Sequence, residues 1–303
     1  MSFHSDQEKQ LITKFRSRVF DILKPGEDRS DQFLLRWIRA QDGNIEKAEL
    51  MIRKSFDWRR EYGFDDILYQ AIDPVLMHLC PYSMLGLDTL GHPGKWHATQ
   101  SSDYFSKLIV MRVVQNADEL LSEVAVVSFS IGRWDLARIV NEGREVEFVT
   151  HYTQLFEKAM ERIRDSNKGR KPWEFQNTQF TAIADWAGYS YQQLVNFKAV
   201  QLMLKLASSF DSHYPETLYK AFYINCPAIF PRLFAMLKPV MRDKTVARIK
   251  VYGTNRQEWE GKIKRLVHSN QLPPEYGGTA GPVSLSAAQG QTTTLTTTGA
   301  YPQ

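Results

Sequence analysis

Residues 212–253, SHYPETLYKAFYINCPAIFPRLFAMLKPVMRDKTVARIKVYG, decide the fold. LYKAFYIN (218–225) reads as a strand by its aromatic and alternating content. An apolar helix follows over 228–241, then a short helix, then a second strand at 249–252. The apolar segment carries Ile229, Phe230, Leu233, Phe234, Met236, Leu237, Val240 and Met241. That exceeds one stripe of an ordinary surface helix, so it must be buried in a core, a membrane or a ligand. Pro227, Pro231 and Pro239 give the segment defined ends.

Upstream of this stretch, VAVVSFSI (124–131) and QFTAIADW (179–186) read as strands. Helices are expected over 142–165 and 191–210, and a last one over 256–268. Strands alternating with helices imply a largely parallel sheet, an α/β fold with helices flanking the sheet. The first part of the chain differs. Leu11, Ile12, Phe15, Val19, Phe20 and Leu23 recur at helical spacing, and Pro25-Gly26 ends that helix. A second helix starts near Asp31, and Asn44 is placed to cap a third that ends at Gly63. Residues 1–75 therefore read as a small all-helical module and 76–278 as the α/β domain, joined by a Pro- and Gly-rich connection. Residues 279–303 carry no charge and little apolar content, and read as a disordered tail.

The chain has 303 residues, 43% of them hydrophobic, enough for a sizeable core. Its formal charge of +4 is mildly basic and suits acidic membrane surfaces. No dense Lys/Arg block with interleaved aromatics is present, which argues against nucleic acid. Cys80 and Cys226 stand far apart in no metal spacing and read as two buried thiols in a reducing compartment. The first residues lack a signal-peptide pattern, and no apolar run reaches the roughly 18 residues of a membrane span. A cytoplasmic protein with transient, peripheral membrane contact is expected.

Enzyme motifs are missing: there is no HExxH, P-loop, GxSxG or GxGxxG. The histidines are scattered, without metal-ligand spacing, so neither metal nor cofactor is expected. His213, beside Tyr214 and Pro215, reads as a satisfied turn residue. Asp185 sits after a strand, where catalytic carboxylates occur in parallel sheets, but has no visible partner.

FLLRWIRAQ (33–41) with IEKAELMIRKSFDWRREYGFDDIL (45–68) resembles the helical N-terminal module of CRAL-TRIO lipid-binding proteins. IGRWDL, AIADWAGYSYQQL, YPETLYKAFYINCPAIFPRLFAMLKPVM, KTVARIKVYGTN and LPPEYGG resemble successive blocks of their lipid-binding domain, in order. The nearest look is to the secretory-pathway phosphatidylinositol-transfer and supernatant-protein-factor branch. The resemblance implies a hydrophobic pocket for one lipid, floored by the sheet and closed by a mobile gate formed by Ile229, Phe230, Leu233, Phe234, Leu237, Val240 and Met241. It implies that Glu216 and Arg248 hold an inositol phosphate, with Arg39 (or Arg36) contributing. Read from the residues alone, Glu216 and Arg248 equally suit a surface ion pair or a capping contact. Asp185 takes a structural role in its turn.

Two departures stand out. Some phosphatidylinositol binders carry hydroxyls at the positions held here by Phe180 and Ala182, while Thr181 faces the other side of the sheet. This leaves room for a less polar ligand, an isoprenoid or tocopherol-like lipid. GLDTLGHP (86–93) is also separated from the expected strand by residues 94–123. Gly94-Lys95 can be encoded by GGTAAG, a splice-donor sequence, so the segment reads as an insertion: either a retained intron or a true loop with KLIVMRVV (107–114) as an extra strand. The expected protein is a monomeric lipid carrier whose ligand is a phospholipid or an isoprenoid lipid; the alternatives are a lipid sensor or adaptor presenting its ligand to a partner, and an α/β enzyme.

Overall fold

A computed structural model describes residues 5–23, 28–71, 73–85, 111–112, 124–169 and 177–280. The chain opens with α1 (Asp6–Val19), α2 (Asp31–Ala40) and α3 (Ile45–Glu61). Their starts are fixed by side chains that accept from otherwise unpaired backbone N–H groups. Ser5 and Glu8 form a reciprocal capping box on α1, Ser30 caps α2 and Asn44 caps α3. The three helices share a cluster of their own, built on Phe15, Val19, Leu34, Ile38, Ala48 and Ile52.

There follow α4 (Pro74–Leu79), β1 (Tyr82–Leu85), β2 (Met111–Arg112), β3 (Val124–Phe129), α5 (Leu136–Asn141), α6 (Glu145–Ser166), β4 (Phe180–Asp185), α7 (Tyr191–Val195), α8 (Phe197–His213), β5 (Leu218–Ile224), α9 (Phe230–Leu237), α10 (Asp243–Arg248), β6 (Ile249–Val251) and α11 (Arg256–Lys264). Strands β3, β4, β5 and β6 are parallel neighbours in that order, and β1 and β2 pair antiparallel with β3. Because the parallel strands follow one another in sequence, their crossovers stack on the same face. That face carries Val127, Phe129, Phe180, Ala182, Ala184 and Ala221 under α5, α6, α8 and α9. The opposite face, with Val126, Ile183, Phe222 and Ile224, is sealed by Trp259 and Ile263 of α11 together with Leu272 and Tyr276.

Several elements differ from the sequence reading. Strand β1 lies in what reads as a Pro- and Gly-rich connection; a four-residue strand has too little pattern to announce itself, and its ladder to β3 supplies the order. The helix expected over 142–165 is α6, which starts at Glu145; Gly143 (φ +68°), in a left-handed conformation that suits glycine, parts it from a short helix the sequence reading did not include, α5. The helix expected over 191–210 divides at Asn196, which caps α8. The apolar helix is shorter than 228–241. It ends at Leu237 and tightens into a 3₁₀ turn, Lys238–Val240, because Pro239 has no N–H to continue the α pattern. Of residues 94–123 only Met111–Arg112 (β2) is described; the rest of that segment, and the tail beyond Ala280, lie outside the described residues.

Candidate functional site

The floor of the covered face is hollow for a simple reason. Val127, Ala182, Ala221 and Ile249 are register partners across four strands, and the two central ones are alanines. Large side chains stand around this gap: Phe129, Trp134, Tyr152, Phe156, Phe180, Phe210. A cavity of about 130 Å³ remains between sheet and helices. Among the described residues no charged side chain lines it. Its size is close to the ~150 Å³ apolar void known to hold a benzene-sized guest. Ligand pockets for larger molecules run to roughly 300–1,000 Å³. A long-chain ligand would therefore require the roof to move.

Two polar groups among the lining residues stand out. Among the described residues neither Tyr152 Oη nor Trp186 Nε1 has a hydrogen-bond partner, although both are buried. Burial pushes the Tyr152 hydroxyl well above its ordinary pKa, so it stays a donor. An unmet buried donor carries a penalty of about 1–3 kcal/mol, which a ligand oxygen would relieve. Sequence reasoning missed both residues, since a buried aromatic at helical or strand spacing looks the same with or without a partner.

The roof is made by the segment after β5. Of the seven side chains expected to form a gate, Leu237 and Met241 line the cavity. Phe230 and Leu233 are fully buried, and Phe230 packs edge-on against Trp186 at 4.7 Å between centroids and stacks with Phe234 at 5.6 Å. Ile229, Phe234 and Val240 are half-buried. Met236, on the outer side of α9, is exposed.

The structure brings Glu216 and Arg248 together. Arg248 Nη2 donates to Glu216 Oε2 at 2.5 Å, and Nη1 to the Leu218 carbonyl at 2.6 Å. Leu218 and Ile249, next to this pair in the chain, line the cavity; Glu216 and Arg248 themselves do not. Glu216 sits at φ +59°, a left-handed conformation unusual for a glutamate and held by Gln179, whose side chain donates to the Glu216 carbonyl. Arg39 is engaged elsewhere: its guanidinium pairs with Glu8 of α1 at 2.7 Å. Arg36 lines a different cavity.

Asp185 Oδ1 accepts from Ala187 N and from Asn225 Nδ2, both at 2.9 Å, tying the ends of β4 and β5. The turn it anchors runs against the loop after β3 so closely that a Cβ on Gly132 would fall 2.2 Å from the Ala187 carbonyl oxygen. His213 is the last residue of α8 rather than a turn residue. Its ring stacks on Trp58 at 3.7 Å, and Nδ1 lies 3.1 Å from Ser55 Oγ, joining α8 to α3. Among the described residues no cluster of His, Cys, Asp or Glu could hold a metal, and no helix is long and apolar enough to cross a membrane.

This is an α/β domain built around an internal apolar cavity, with helices flanking its sheet. A sequence model of the CRAL/TRIO domain matches residues 121–278, more than half of the chain, and the chain belongs to that family. It is similar to Protein real-time of Aedes aegypti, 22% identical over 275 residues, covering 90% of this chain and 37% of that protein. It is also similar to phosphatidylinositol/phosphatidylcholine transfer protein SFH4 of Arabidopsis thaliana, 25% identical over 292 residues, covering 91% of this chain and 40% of that protein. The chain thus spans well under half the length of these relatives. The crystal structure of Sfh5 shares the fold, with a TM-score of 0.65 at 17% identity over 92% of this chain and 89% of that one.

Proposed function

We propose that this protein binds one lipid in the cavity over Ala182 and Ala221 and exchanges it at membranes. The observation that carries the reading is an uncharged cavity, floored by alanines and roofed by the apolar segment of Leu237 and Met241. Family membership and the likeness to a named phosphatidylinositol/phosphatidylcholine transfer protein support it. Each methylene moved from water into such a cavity is worth about 0.8 kcal/mol, so the chain of the lipid supplies most of the affinity. The roof (Ile229, Phe230, Leu233, Phe234, Leu237, Val240, Met241) acts as the gate, swinging away to enlarge the chamber.

Selectivity falls to the polar groups. Arg248 exchanges Glu216 for a headgroup phosphate, for which a guanidinium fork is suited. Tyr152 and Trp186 donate to oxygens that enter with the chain. The lining suits a phospholipid acyl chain or an isoprenoid alike. Residues 1–75 serve as the helical module against which the lipid-binding domain, 76–278, is held.

Transfer of labelled phosphatidylinositol between donor and acceptor liposomes tests this. Purified protein is expected to accelerate transfer, and Ala182→Phe, which places a ring in the void, is expected to abolish it while the protein stays folded. Equal transfer by both proteins would refute the assignment of the cavity.

A further inference from the structure

A second and larger cavity, about 870 Å³, lies where the helical module meets the sheet domain, between α2, α3, the C-terminal half of α6 and the end of α8. Its walls are partly apolar, from Phe33, Trp37, Phe56 and Ile67, and it is also lined by cations. Two of the four, Arg59 and Lys168, are matched. Arg59 Nη1 donates to Glu157 Oε1 at 2.5 Å, an oxygen that also accepts from the Tyr214 hydroxyl at 2.8 Å. Lys168 pairs with Asp165 at 2.6 Å.

Arg36 is different. Among the described residues its buried Nε has no hydrogen-bond partner, and Nη1 meets the Met160 sulfur alone, at 3.7 Å. The guanidinium also lies over the Phe33 ring, 5.0 Å from its centroid. Burial pushes its pKa down to about 10; Asp28 and Glu157 pull it back up, and Arg164 pushes it further down. It therefore keeps its charge at neutral pH. Arg36 is half-buried, and a guanidinium whose Nε is sealed from water without a hydrogen-bonded anion is destabilising. Arg164, which lines the same cavity, makes no ion pair among the described residues. Two guanidiniums without an ion pair among the described residues thus line one chamber with Arg59, Asp28, Asp65 and Glu157, beside its apolar walls.

We propose that this chamber is a second ligand site, taking an amphiphile with a phosphate or carboxylate head, gripped by Arg36 and Arg164, and an apolar body lying against Phe33, Trp37 and Phe56. The site is independent of the reading given to the cavity over Ala182. It places a ligand between the helical module and the sheet domain, where it would bridge the two.

Calorimetric titration with dodecyl phosphate, dodecanoate, dodecanol and inorganic phosphate tests the proposal. Dodecyl phosphate or dodecanoate is expected to bind at least about tenfold tighter than dodecanol or inorganic phosphate, the better of the two naming the head. Arg36→Met and Arg164→Gln are each expected to weaken that binding by about tenfold or more, and Ala182→Phe to leave it unchanged. Arg36→Met should melt no lower than the parent, because it removes an unmatched charge; if it fails to fold, the exposed Arg164→Gln variant decides. Unaltered binding in Arg164→Gln and in any folded Arg36→Met protein would overturn the proposal. So would binding lost in Ala182→Phe, or inorganic phosphate binding as tightly as the amphiphiles.

Discussion

Asp211, buried on α8, accepts two hydrogen bonds from Arg242, one from its backbone N at 2.9 Å and one from Nε at 2.8 Å. Thr245 donates to the other carboxylate oxygen, and Arg242 and Lys244 donate to the Ala40 and Arg39 carbonyls at the end of α2. The segment just after the apolar roof is thereby pinned to both α8 and the helical module. Cations on the last carbonyls of a helix are favourable placements, so α2 gains as well.

Removing this pin should both destabilise the fold and loosen the roof. Asp211→Ala leaves Arg242 without its buried partner and is expected to lower unfolding free energy by about 3 kcal/mol, read by urea denaturation. At temperatures where it remains folded, its lipid exchange should be faster than the parent's. A variant as stable as the parent would show that Asp211 does not anchor this junction.

Membrane contact by the roof should begin with its exposed side. Met236→Asp is expected to reduce liposome association without loss of secondary structure, measured by flotation and circular dichroism. Phe230→Asp is a poor probe, because Phe230 is fully buried between Trp186 and Phe234 and a carboxylate there would unfold the protein. Unchanged flotation of Met236→Asp would place the membrane-facing surface elsewhere.

Much of the fold was legible in residue patterns, and the exceptions have physical reasons. The two-residue period of a strand separates Phe180, Ala182 and Ala184, on the cavity side, from Ile183, on the other. The cap Asn44 works through a neighbour three residues away, so local information suffices for it; Ser5 and Ser30 cap in the same way, although the sequence reading did not name them. The burial of Phe230 was not legible, because it depends on Trp186, far away in sequence. The same holds for Arg39, whose partner Glu8 sits on another helix, and for the unmet donors of Tyr152 and Trp186. The pairing of Glu216 with Arg248 is one of the alternatives that the residues alone left open, whereas the strained backbone at Glu216 left no mark in the sequence.

Arg248 also holds the Leu218 carbonyl at the start of β5, so its two roles need separating. Arg248→Ala is expected to weaken phosphatidylinositol binding by about tenfold while sparing a tocopherol-like ligand, measured by ligand competition. Equal losses for both ligands would mean that the residue holds the strand rather than a phosphate.

Stability should fall on mild acidification. Burial lowers the pKa of His151 to about 4, and burial followed by the nearby Arg59 lowers that of His213 to about 4. An unfolded histidine titrates near 6.5. Between those values the unfolded chain binds protons that the folded one refuses, so the contribution is complete above about pH 6.5 and is lost as pH falls toward 4. The loss is at most about 1.4 kcal/mol per pH unit for each histidine. His151→Phe, which keeps a ring beside Tyr82, should show a shallower decline in melting temperature across this window. An unchanged slope would mean that His151 titrates freely in the folded protein.

The central claim is a chamber that admits a single lipid beneath the segment after Cys226. Native mass spectrometry of the protein after incubation with mixed phospholipid and isoprenoid vesicles tests it most directly. The account predicts one lipid per chain on the parent protein and none on a folded Ala182→Phe variant under the same conditions. A parent protein that emerges with no lipid, or a variant that retains the same lipid at the same occupancy, would contradict it.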